Sequence, residues 1–145
     1  MKTRHWFISA ILILSSSIAV AGSVSSVPVD IDEDNMIAIG DMWTARTADN
    51  DVEFIGCGIR KFDDGVNPSF SFGFCQAQDA DEVMIFCSTF SEVLLDAMAS
   101  TSDFSFITFS WNAAFECIRV GFSNQSFYLP NIKIQKGMGG GGEED

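Results

Sequence analysis

Apolar and polar residues alternate with a period of two along much of this chain. The clearest run spans Asp103 to Ser123. Ser105, Ile107, Phe109 and Trp111 fall on one side of it, and Phe104, Phe106, Thr108 and Ser110 on the other. After an Asn112-Ala113-Ala114 break, Ile118, Val120 and Phe122 share one side, with Cys117, Arg119, Gly121 and Ser123 opposite. Period two with turn formers between the runs predicts a β-hairpin. Its Phe and Trp content predicts that this hairpin is the core ribbon of the fold.

Other strands follow from the same pattern. Met36 to Thr47 has a β-like composition with Gly40 as a possible bulge or break. Val52 to Phe62 sets Ile55, Cys57 and Ile59 on one face against Gly56 and Gly58 on the other. Ser69 to Ala77 alternates most cleanly: Phe70, Phe72 and Phe74 oppose Ser69, Ser71, Gly73 and Cys75. Glu82 to Thr89 places Val83, Ile85 and Cys87 together. Ser91 as N-cap, Glu92 in the first turn and the stripe Val93, Leu94, Ala97, Met98 predict one short helix. Asn131 to Lys136 reads as a last edge strand. The expected fold is mainly β: an antiparallel sandwich or partly open barrel of about six or seven short strands with one short helix, stapled by two disulfides.

The chain ends change the picture. Lys2, Arg4 and His5, an apolar run from Phe7 to Val20, and Ala19-Val20-Ala21 form a secretory signal-peptide pattern over residues 1–21. That apolar run is shorter than the ~20 residues of a spanning helix, so no stable membrane anchor is expected. Residues 22–35 read as an acidic flexible lead-in, 36–136 as a single domain and 137–145 as a Gly-rich acidic tail. The whole chain carries a net charge of −12; without Lys2 and Arg4, six basic residues face 20 acidic ones, a net charge of −14. Such a field disfavours nucleic acid and points, if anywhere, to a basic protein or envelope component. The expected location is periplasmic or extracellular.

Cys57, Cys75, Cys87 and Cys117 form an even set behind an export signal, which implies two disulfides. Their spacings lack the close Cys-x-x-Cys pairs of zinc sites. Three pairings are possible. A hairpin closed at Asp63 to Asn67 brings Cys57 nearly opposite Cys75, which favours Cys57–Cys75 and Cys87–Cys117.

The segments Phe54-Ile55-Gly56-Cys57 and Phe106-Ile107-Thr108-Phe109-Ser110-Trp111, with Cys117 shortly after, resemble uncharacterised small secreted bacterial proteins with four cysteines. The resemblance covers about residues 42–130. It implies an exported bacterial protein and carries no activity.

For function, the only histidine, His5, lies in the signal-peptide stretch. A Ser-His-Asp or Cys-His centre is therefore not expected, and paired cysteines leave no thiolate. The enzymatic alternative left is a two-carboxylate hydrolase, which needs two acids facing one cleft. The preferred reading is a non-catalytic binding or structural protein with no cofactor. A second alternative is weak calcium binding: Asp30, Asp32, Asp34 and Asp41 occupy the first, third, fifth and twelfth places of a calcium-loop pattern, with Asn35 in place of its Gly. Against this, Asp30 follows no helix, and an acidic linker explains the same residues. Trp43 and Trp111 are either core residues or the lining of a ligand groove.

Overall fold

In the computed structural model, which describes residues 23–130, seven strands form two antiparallel sheets. In chain order the elements are β1 (Asp30–Asp32), β2 (Ile37–Asp41), α1 (Met42–Arg46), β3 (Phe54–Phe62), β4 (Phe70–Gln78), β5 (Met84–Thr89), α2 (Glu92–Ala99), β6 (Phe106–Trp111) and β7 (Cys117–Ser123). One sheet has the order β1-β2-β6-β7 and the other β3-β4-β5. The mainly β, disulfide-stapled architecture agrees with the sequence pattern. The signal-peptide stretch, the edge strand at 131–136 and the tail at 137–145 lie outside the described residues.

The hairpin of β6 and β7 is a core ribbon. Ser105, Ile107, Phe109 and Trp111 are all buried. On β7 the simple alternation fails, because a register shift occurs between Ser110 and Trp111: Trp111 pairs with Cys117, whereas Ser110 pairs with Arg119. Ile118 is the extra residue and is 59% exposed. Residues directly opposite one another in a ladder share a face. The bulge thereby puts Cys117 on the same inner face as Val120 and Phe122, which strict period two forbids.

Sheet β3-β4-β5 turns its small residues inward. Gly73, Cys75 and Ala77 of β4 are buried, flanked by Ile55 of β3 and by Ile85 and Cys87 of β5. Helix α2 fills the space above them. A Cβ on Gly73 would overlap Met98 Sδ and lie 2.9 Å from Leu95 Cδ2, so glycine is what admits the helix. Met98 itself is buried. Ser91 sits at the α2 N-cap position but makes no side-chain cap bond.

Two disulfides form as the sequence favoured. Cys57–Cys75 joins directly paired residues of β3 and β4, and Cys87–Cys117 ties β5 to β7. Beside the second, the Ser88 N–H donates to the Phe115 carbonyl at 3.1 Å. One side of the sandwich is thus closed by a covalent bond and a backbone bridge, in a region where the two sheets come from distant parts of the chain.

Two segments differ from the sequence reading. The 22–35 lead-in holds β1 and a buried Val29. It is tied down because the Val27 N–H donates to Asp41 Oδ2 (2.7 Å), the Asp41 N–H donates to the Val27 carbonyl (2.9 Å), and the Val29 N–H donates to Glu53 Oε1 (3.1 Å). The β-like stretch 36–47 breaks after Asp41 into a second helix, α1. The cause is local: Asp41 Oδ1 accepts the Thr44 N–H at 2.7 Å, an N-cap bond that starts a helix despite the β-like composition.

Candidate functional site

Because β4 buries Gly73, Cys75 and Ala77, its other face must present Phe70, Phe72 and Phe74 outward. Register brings further aromatics beside them: Phe62 pairs with Phe70. Phe62 and Phe70 stack at 4.9 Å, Phe74 and Phe86 at 5.9 Å, and Phe90 lies 6.2 Å from Phe72. Exposure is 49% for Phe62, 53% for Phe70, 44% for Phe86 and 70% for Phe90. The Arg60 guanidinium carbon sits 4.9 Å from the Phe74 ring centroid. Beneath it Gly58 leaves room for the ring: a Cβ there would lie 3.0 Å from Phe74 Cζ. The result is a continuous phenylalanine surface on the outer face of the three-stranded sheet. Acidic turns bound it, with Asp63 and Asp64 at one end and Asp79, Asp81 and Glu82 at the other. The Asp64 carboxylate accepts from the Asn67 N–H (2.8 Å), the Asn67 amide (2.8 Å) and the Val66 N–H (3.0 Å), which lowers its pKa to about 2.

A second feature is a cleft of about 370 Å³ between α1, the start of β3 and the segment before β6. Trp43, Phe54 and Phe104 line it, with Arg46, Glu53 and Asp103 as its charged groups. Trp43 and Phe104 meet edge to face, with centroids 5.8 Å apart. The two tryptophans therefore part company: Trp43 lines a cleft and Trp111 is core.

The four acids of the calcium pattern are not gathered. Asp30 and Asp32 lie in β1, Asp34 in the following turn, and Asp41 is 1% exposed with both oxygens bonded to backbone N–H groups. Asp32 accepts from the Asn35 side chain (2.6 Å) and its N–H (2.9 Å), contacts that lower its pKa. Among the described residues no group of three or more His, Cys, Asp or Glu side chains is placed to hold a metal ion. The four cysteines serve as cross-links, and no described cysteine is free.

Sequence reasoning identified the Phe70-Phe72-Phe74 face but not its direction. A signal was present. Cys75 has the opposite parity to the three phenylalanines, and it pairs across the ladder with Cys87, whose bond to Cys117 turns that face toward the other sheet. Comparisons with protein families, with curated proteins and with solved structures find no match for this chain.

Proposed function

We propose that the chain is an exported, non-catalytic binding module that docks a basic protein segment on its phenylalanine face. One observation carries the reading: β4 buries its small residues and exposes its aromatic ones. Monomeric domains rarely leave a contiguous apolar patch of this kind open, and such patches mark interaction surfaces. Acidic turns at both ends and a net charge of −12 give the partner its sign. A second copy of the chain, equally acidic, meets electrostatic repulsion.

Export is part of the proposal. Its support is the basic and apolar pattern of residues 1–21 and the two disulfides, which persist in oxidising compartments. Among the described residues no helix is long and apolar enough to cross a membrane. For the hydrolase alternative, the aromatic cleft beside Trp43 holds one pair of acids, Glu53 and Asp103. Glu53 spends both oxygens on the Val29 N–H and the Asn50 amide, a structural use that favours binding over chemistry.

Site-specific photo-crosslinking in the native host tests the docking reading. A photoreactive residue at position 86 should give a discrete adduct with a basic protein. The same residue at exposed Ile118, on the other sheet, should not. Equal adducts at both positions, or none at 86, would overturn the proposal.

A further inference from the structure

The cleft beside Trp43 is distinct from the phenylalanine face, and its walls are held in place by two buried polar residues. Asp41 fixes α1, and therefore Trp43, through the Thr44 and Val27 N–H groups, each at 2.7 Å. Ser105, fully buried, holds the opposite wall. Its hydroxyl is 2.6 Å from the Ser102 carbonyl and in contact with the Asn124 side chain, while its own carbonyl accepts the Met42 N–H at 3.1 Å. Between these anchors Phe104 is held at φ 62°, a left-handed backbone that is costly for an aromatic residue. That conformation accompanies the placement of its ring beside Trp43.

We infer that this cleft binds a quaternary ammonium group. The cleft volume suits a small organic ligand, and aromatic walls attract an ammonium through the negative faces of their rings. The charges agree in sign. Glu53 and Asp103 supply two carboxylates against one guanidinium, Arg46, and the chain as a whole attracts cations. An anionic ligand would meet the reverse balance. The ammonium can reside on a free small molecule or on a lipid headgroup, and the same chemistry recognises both.

Choline and its neutral isostere 3,3-dimethylbutan-1-ol decide the matter, titrated into 15N-labelled protein while the indole N–H signals are followed. Choline should shift the Trp43 signal saturably and leave Trp111 in place, and the isostere should bind about tenfold more weakly. Asp103→Asn should weaken choline about threefold and Arg46→Gln should strengthen it about threefold, the size of a screened surface interaction. Both residues are exposed, so these variants should fold even if Trp43→Ala does not. Phosphatidylcholine vesicles form a further arm: a Trp43 shift there assigns the group to a headgroup, and a shift with free choline alone assigns it to a soluble ligand. Equal binding of the isostere, tighter choline binding by Asp103→Asn with weaker binding by Arg46→Gln, or no saturable shift would overturn the inference.

Discussion

Cys75 and Cys87 sit directly opposite each other across the β4–β5 ladder, yet neither is bonded to the other. Cys75 bonds to Cys57 and Cys87 to Cys117. Three cysteines thus form a row across one sheet, and the fourth is on the other sheet. Paired positions in an antiparallel ladder are within disulfide reach. A Cys57→Ser, Cys117→Ser double variant should therefore form Cys75–Cys87, seen by non-reducing peptide mapping. It should also lose the inter-sheet staple, whose loop of 30 residues contributes roughly 3–4 kcal/mol on the chain-entropy model. Two free thiols in the folded variant would contradict this.

Gly73 and Gly56 lie on opposite faces of the same sheet and should respond oppositely to a methyl group. Gly73→Ala drives a Cβ into Met98 and Leu95 of α2 and should cost about 1–3 kcal/mol. At Gly56 a Cβ meets nothing within 4 Å, so Gly56→Ala should be neutral or mildly stabilising. Urea denaturation of both variants checks the contrast.

Phenylalanines on this fold divide by face. Phe109 is fully buried, and Phe109→Ala should cost about 3–5 kcal/mol. Phe90 is 70% exposed, and Phe90→Ser should change stability by no more than about 1 kcal/mol, the value of one aromatic contact. Phe72→Ser with Phe86→Ser should also reduce binding of the dye 1-anilinonaphthalene-8-sulfonate to the native protein. Unchanged dye binding would show that the patch does not present a usable apolar surface.

Asp64 predicts a pH dependence of definite sign. Its pKa falls from 3.8 to about 2 because the Asn67 and Val66 groups bind the carboxylate. A lowered folded-state value means that its contribution is complete above the unfolded value and is lost as pH falls toward 2. An NMR titration of the Asp64 carboxyl should show the midpoint near 2, and Asn67→Ala should raise it toward 3.8. An unchanged midpoint in that variant would refute the contribution of the Asn67 side-chain amide, the backbone N–H bonds of Asn67 and Val66 being kept.

Asp41 should behave as a structural residue. Asp41→Ala removes the acceptor for two backbone N–H groups at a buried site and should destabilise by about 2–4 kcal/mol. Asp41→Asn, which keeps an acceptor, should cost less. Millimolar calcium should leave the denaturation midpoint of the unaltered protein where it is, because these oxygens are already committed. A calcium-dependent rise that Asp41→Asn abolishes would support the loop reading.

Much of this architecture was legible in the chain. Alternation over 69–77 and 103–123 defined strands, Asp63 to Asn67 supplied a turn, and the spacing of Cys57 and Cys75 around it favoured the pairing that forms. These are local properties, set by neighbours a few residues apart. Three decisions belonged to the tertiary structure. Period two separates two faces without saying which is buried, so Phe70, Phe72 and Phe74 were turned outward only when α2 packed on Gly73 and Cys87 reached Cys117. The bulge at Ile118 reset the parity of β7, because Cys117 and Val120 both had to face the core. The lead-in was tied to the sheet because the Val27 N–H, 14 residues away, reaches Asp41 Oδ2. Each depends on a contact between segments separated along the chain, and a hydrophobic pattern holds no information about which distant surface will cover it.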